Sequence, residues 1–446
     1  MPNIHGVRNC LFGLRLTPRR ALYSFSSAPD VDPPTLSDPK TGRKGQKVRK
    51  AVISYYVLDH NLCTLCTLPS LCRLSGGASF RRALQGHLAQ ISTKYQKGFA
   101  AFELNMGEAH PLAGNNLLRK RFAAEQLTDD GEHMWQGDIS VGTPPQTYTV
   151  DFDTGSSDLF LPGPHCDYRC KDHKVYDPSA SSSSKNLFRS FALGYGDGSE
   201  VKGEQFSDSV QFSGLTATAV TLGVSTDYSS GFAKNAFTAD GLMGMAFKSI
   251  SAFPADPFVS SLATQNQIED AVFAFKLAKE GSELSLGGYN PALFTGDIVY
   301  TPVTKEGYWQ VSMDSISTNG THAFEHVPAI IDTGTTLIIA DKESVDAIYA
   351  GIPGAKDASH TIAPGFYTVP CDAIPTVSLT FGGKTFDVKP ELFNQGPAGP
   401  EDSSDCIGGI SALEGQEFWI VGDVFCKTVV YHLDMKNSQV GFAALA

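Results

Sequence analysis

From Met134 onward the chain alternates between apolar and polar residues. In WQGDISVGTPPQTYTVDFDTG, Ile139 and Val141, and then Tyr148, Val150 and Phe152, are apolar at every second position, with GTPP between the two runs. Period two places those side chains on one face of a strand and the Gly-Pro stretch turns the chain, so a β-hairpin is predicted. Similar short runs, punctuated by Gly, Pro, Asn, Asp and Ser, continue to the end of the sequence. Helical spacing is scarce: 256–265 and 342–350 are the best short candidates, and an all-β body follows.

The region upstream has a different texture. Residues 28–50, rich in Pro, Ser, Asp and Lys, read as unstructured. Residues 80–92 carry Leu84, Leu88 and Ile91 on one helical face. Further on, Arg119, Lys120 and Arg121 form a basic cluster that an endoprotease could cut, although such clusters are often only exposed charge.

Charge sharpens this division. The net charge of -12 over 446 residues splits into +12 for residues 1–121 and -24 for residues 122–446. The reversal directly after Arg121 favours a processing boundary there. A basic front attached to an acidic body suggests a segment meant to lie against that body, and argues against nucleic acid as a partner; solubility alone is the blander reading. The chain therefore divides at Arg121 into a basic leader and an acidic body (122–446). At 446 residues the chain can bury one large core or two ordinary ones, so two domains are the default.

The body has no Cys and His spacing of zinc type, so its five cysteines read more naturally as two disulfides, Cys166–Cys170 and Cys371–Cys406, with Cys426 left over. Disulfides imply an oxidising compartment. The upstream Cys63, Cys66 and Cys72 lack a clear fourth ligand, and no metal is expected. No apolar run reaches the length of a membrane span, and no anchor tail or secretory signal is evident. The cysteines thus point outward while the first residues do not.

An internal repeat carries the chemistry. Asp153-Thr-Gly is followed 91 residues after its Asp by Gly244 of Leu-Met-Gly, and Asp332-Thr-Gly is followed 90 residues after its Asp by Gly422 of Ile-Val-Gly. Two such halves imply two similar lobes. One Asp-Thr-Gly at a strand end is usually a turn, with glycine permitting the sharp bend and hydroxyls adding donors. Two of them in related lobes can face each other. Two carboxylates held that close cannot both ionise cheaply, so one keeps a proton in acid; the charged one can then act as base toward a water while the other polarises a carbonyl.

These residues resemble a known family. DTGSS, DTGTT, LGYGDGS, ADGLMGMAF, EGYWQV and IVGDVF, spread from about Met134 to Ala446, are similar to the pepsin-like aspartic proteases (peptidase family A1), and more narrowly to the secreted fungal, basidiomycete-type members. The resemblance implies an all-β, bilobal fold of two mostly antiparallel lobes, about 134–300 and 301–446, with a cleft between them. It further implies an aspartic-type endopeptidase that needs no cofactor, takes protein and peptide substrates at acid pH and works as a monomer. Such an enzyme is made as a zymogen whose basic propeptide, here 76–121, inhibits it, and is secreted or, alternatively, vacuolar; residues 1–75 lie outside the resemblance and form an atypical N-terminal region, expected to be disordered.

Carried over by position, Asp153 and Asp332 become the catalytic pair. Ser156 and Thr335 become the hydroxyls on their outer oxygens, and Gly155 and Gly334 the glycines that orient them. Tyr195 corresponds to the flap tyrosine, with Gly196 and Asp197 at the flap tip, and Thr336 to a residue that bonds the substrate backbone. Tyr308 and Trp309 correspond to the wall on the leaving-group side, with ordinary core packing as the competing reading. The same resemblance supports the Cys166–Cys170 and Cys371–Cys406 pairings. Lys94 and Lys97 are candidates to pair with the dyad, against a reading as solvated lysines.

Two departures stand out. Phe160 replaces the tryptophan whose indole usually bonds the flap tyrosine, so Tyr195 must be held by other means, water among them. Asp197 and Asp151 put negative charge beside the pocket for the residue preceding the cut, which implies broad apolar specificity with Lys tolerated. Asp158 is expected to be structural. A catalytically inactive pepsin-like binding protein is the alternative function, although such proteins commonly lose a residue that is present here. Asn319-Gly-Thr321 is the one glycosylation sequon.

Overall fold

The alternating runs fold as strands because each has one apolar face to bury. In the computed structural model, which describes residues 105–106, 123–129, 134–195, 199–400 and 403–446, Trp135–Val141 and Gln146–Asp153 pair antiparallel from Gln136 opposite Asp151 to Val141 opposite Gln146. The inward face of this hairpin, Ile139, Val141, Tyr148, Val150 and Phe152, is buried. The expectations for residues 1–75, for Lys94, Lys97 and Arg121, and for the flap tip at Gly196 and Asp197 lie outside the described residues.

Among the described residues, which do not include the helical stretch expected at 80–92, helices are short and few, as the spacing predicts. The second candidate forms a helix at Lys342–Ala350, and Asp341 caps it by accepting the Ser344 amide at 2.8 Å. The first is shorter than predicted and runs Phe258–Thr264. Asp256 precedes Pro257, and a residue before proline is pushed toward extended backbone, so the helix starts only beyond it.

The strands form two related systems and a sheet that joins them. The first half is built on residues 135–244 and includes the long hairpin of Lys185–Gly194 with Glu200–Phe212. The second half is built around Gln310–Thr318, Thr321–Ile331 and Val377–Phe381. Among the described residues, the joining sheet has six strands in the order Ala123–Asp129, Ser282–Leu286, Val272–Lys276, Val429–Asp434, Gln439–Leu445 and Phe294–Lys305. This is a mostly β, bilobal architecture. The structure also pairs Cys166 with Cys170 and Cys371 with Cys406, and leaves Cys426 free and buried.

The repeat has a topological meaning. In the first half, the strand ending in Asp153 runs parallel to Gly241–Gly244, with Asp153 opposite Gly244. After the turn the chain returns as Leu159–Pro162, antiparallel to that same strand. The apolar-apolar-Gly strand therefore lies between the two arms of the Asp-Thr-Gly turn. The second half repeats this: Trp419–Val421 runs parallel to 329–331 and antiparallel to Ile338–Ala340. The closing glycines allow the close approach. A β-carbon on Gly244 would stand 2.4 Å from the Ser157 amide nitrogen, and one on Gly422 would stand 2.0 Å from the Thr335 carbonyl oxygen.

Candidate active site

Each Asp-Thr-Gly turn holds its own carboxylate in a fixed plane. The Gly155 N-H donates to Asp153 Oδ1 at 2.8 Å and the Ser156 hydroxyl to Oδ2 at 2.6 Å. In the second turn Gly334 N-H donates to Asp332 Oδ1 at 3.0 Å and the Thr335 hydroxyl to Oδ2 at 2.6 Å. Both aspartates are buried.

The middle threonines fasten one turn to the other. Thr154 N-H donates to Thr333 Oγ1 at 3.0 Å, and Thr333 N-H donates to Thr154 Oγ1 at 2.9 Å. Each hydroxyl also donates to the backbone across the interface, Thr154 to Ile331 O at 3.1 Å and Thr333 to Phe152 O at 2.8 Å. Four reciprocal bonds between buried groups leave little freedom for either turn to slide. Repeat, turn chemistry and cross-bonding thus bring Asp153 and Asp332 to one place.

The other expected residues fall around this centre in different ways. Tyr195 stands at the end of the long hairpin, its amide donating to Ser199 O at 2.8 Å. Its ring packs against Phe160 and Phe232 at centroid distances of 6.1 and 5.0 Å. Phe160 in turn meets Phe232 and Tyr228 edge-on. The missing indole donor is thus offset by an aromatic cluster in which Phe232, unremarked in the sequence, is the central ring. Asp151 lies on the strand ending in Asp153 and accepts the Trp135 amide at 3.0 Å. Thr336 is buried, and its carbonyl accepts the Val424 amide at 3.0 Å.

Tyr308 and Trp309 are both buried. The Trp309 indole donates to Met245 O at 3.1 Å, and its ring lies 4.6 Å from that of Phe247. The strip from Met245 to Phe247 also touches the first turn: Met245 N-H donates to Asp153 O at 2.8 Å and Ala246 N-H to Ser156 O at 2.7 Å. Trp309 is therefore packed between the halves beside the aspartates.

Asp158 has the structural place expected of it. Its carboxylate accepts the Ser251 hydroxyl at 2.6 Å and the Ala252 amide at 2.7 Å. Burial, only partly offset by these bonds, pushes its pKa up to about 6.

One pairing at the site had no local signal in the sequence. The Trp135 indole donates to both oxygens of Asp423, at 3.1 and 3.0 Å, and the Lys427 ammonium lies 3.9 Å from Asp423 and over the Trp135 ring. Burial drives the Asp423 carboxyl well above the usual range, Lys427 and the indole pull it back, and Asp129 and Asp332 add to the rise. Asp423 belongs to IVGDVF, but its partner Trp135 is 288 residues away.

Comparison with known proteins agrees with this geometry. Residues 134–445 match the family model described as eukaryotic aspartyl protease. An aspartic protease of Phaffia rhodozyma is 41% identical over 341 residues, covering 75% of this chain and 82% of the relative. Cathepsin D of Gallus gallus is 37% identical, covering 72% and 82% respectively, and pepsin-2B of Gadus morhua is 33% identical, covering 72% and 99%. The chain belongs to the eukaryotic aspartyl protease family and is an aspartic endopeptidase of the pepsin and cathepsin D type.

Proposed function

We propose that Asp153 and Asp332 share one proton and hold one water between them for attack on a peptide carbonyl. The ionised carboxylate takes a proton from the water as its oxygen bonds to the carbonyl carbon, and the protonated one gives its proton to the carbonyl oxygen. The resulting tetrahedral diol collapses as the carboxyl that took the water's proton passes it to the amide nitrogen and the C-N bond breaks, while the other, now ionised, carboxylate takes a proton from a diol hydroxyl, which leaves the pair with its one shared proton. The observation that carries this reading is the reciprocal Thr154 and Thr333 bonding, which locks two hydrogen-bonded carboxylates together. Hydrolysis of denatured haemoglobin at acid pH, blocked by a statine inhibitor and reduced at least a thousandfold in both Asp153→Asn and Asp332→Asn, is the expected result. A variant retaining wild-type turnover would overturn the assignment.

The basic leader inhibits the acidic body until acid protonates carboxylates, weakens their pairing and allows cleavage after Arg121. Charge complementarity between residues 1–121 and the rest supports this, and a purified precursor already fully active at neutral pH would refute it. The mature enzyme works outside the cell or in the vacuole, a reading supported by the two disulfides. Specificity is broad for large apolar residues, with Lys accepted through Asp197. Paired peptides with Leu or Lys before the cut test this, and an unchanged preference in Asp197→Ala would sink it.

A further inference from the structure

Residue 105 of the leader makes a contact that charge does not explain. A single nitrogen, Asn105 Nδ2, donates to two backbone carbonyls of the body, Ser249 O at 3.1 Å and Ser251 O at 2.9 Å. A carboxamide carries two hydrogens on that nitrogen, one for each carbonyl.

The accepting loop is firmly held and continuous with the active centre. It is one turn of 3-10 helix, Lys248–Ile250, closed by the Ser251 amide on Lys248 O. From behind, the Asp158 carboxylate holds the Ser251 hydroxyl and the Ala252 amide. The residues just before it, Met245 and Ala246, bond the Asp153 turn, and Phe247 packs on Trp309 of the other half. Among the described residues, the charged groups bonded in or beside the loop are Asp158 and the exposed pair Lys248 and Asp256, 3.1 Å apart. Asn105 is thus fixed to the flank of the wall that both halves build beside the catalytic turns.

We propose that Asn105 is the uncharged anchor by which the leader docks on this wall, and that it sets how long the leader stays bound once acid has loosened its charge pairs. This rests on the leader acting as an inhibitor. A carboxamide bonded to backbone carbonyls has nothing to titrate across the working pH range, so its hold persists where lysine-carboxylate pairs fade. The anchor therefore governs the rate of activation, and the charge pairs govern the pH at which activation begins.

The test uses the full-length precursor, jumped from pH 7 to pH 4, with hydrolysis of a quenched fluorescent peptide as readout. Asn105→Ala removes two neutral hydrogen bonds and is expected to shorten the activation half-time roughly tenfold. Asn105→Asp sets a carboxylate against two carbonyl oxygens. At pH 6 to 7 it should leak more activity than Asn105→Ala, and the excess should vanish near pH 3.5, where a protonated carboxyl can again donate. Equal specific activity of all three proteins after complete cleavage shows that the bodies are folded. Wild-type latency and half-times in both variants would overturn the anchor alone. A wild-type precursor fully active at pH 7 would overturn the inhibitory leader, and the anchor with it.

Discussion

Asp158 makes a quantitative prediction about stability against pH. Its carboxyl is fully buried and its pKa rises from 3.8 to about 6 in the folded protein, burial being the main cause. Between those values the native state binds more protons than the unfolded state, so stability falls as pH rises and levels off once the folded group has ionised. Two units correspond to about 3 kcal/mol, a large share of a typical domain's stability. Asp158→Asn replaces the protonated carboxyl by a group of the same shape with one acceptor and one donor side, able to face the Ala252 amide and the Ser251 hydroxyl. The variant should match the parent at pH 4 and exceed it by about 3 kcal/mol at pH 7. Urea unfolding at both pH values, on an Asp332→Asn background that prevents self-digestion, reads the difference. Parallel pH curves for variant and parent would show that Asp158 does not titrate between them, and would refute the reasoning.

Other parts of the site are open to equally direct tests. Thr333→Val leaves the buried Thr154 amide without its acceptor and Phe152 O without its donor, and should cost about 1 to 3 kcal/mol in thermal unfolding. It should lower kcat more than it raises KM, since the carboxylates lose alignment; an unchanged kcat would count against the cross-bonding. Phe160→Trp restores the family's usual indole but must fit a fully buried ring cluster, so a loss of roughly 1 to 3 kcal/mol is expected without a gain in kcat/KM. A stable, faster variant would contradict the packing account. Gly422→Ala drives a β-carbon to 2.0 Å from Thr335 O and should prevent soluble expression or cost more than about 4 kcal/mol; wild-type melting would disprove the close approach.

What the sequence revealed follows from which constraints are local. The hairpin face from Ile139 to Phe152, the helix capped by Asp341 and the paired Asp-Thr-Gly turns each need particular residues at short spacing, so they were legible. The 90- and 91-residue offsets exposed the repeat, although only the fold explains it: the apolar-apolar-Gly strand must slip between the arms of the turn. Partners chosen in three dimensions left no such mark. Nothing near Trp135 announces Asp423, nothing near Ala123 announces Leu286, and Phe232 looks like any other phenylalanine until it stands against Tyr195. Asp158 was set apart from Asp153 and Asp332 by the sequence alone, but its burial and raised pKa depend on a loop 93 residues away.

Joining the two turns within one chain has a consequence for how a substrate is oriented. The reciprocal threonines are nearly symmetric, but their surroundings are not: Ser156 answers Thr335, and the hairpin bearing Tyr195 belongs to one half only. A polypeptide has a direction, from amino to carboxyl end. A symmetric cleft would accept it equally well either way round, whereas two halves free to diverge can distinguish its ends. The duplication that supplies a pair of identical acids also allows everything around them to become unlike, which is what any site that distinguishes the two ends of a bound chain requires.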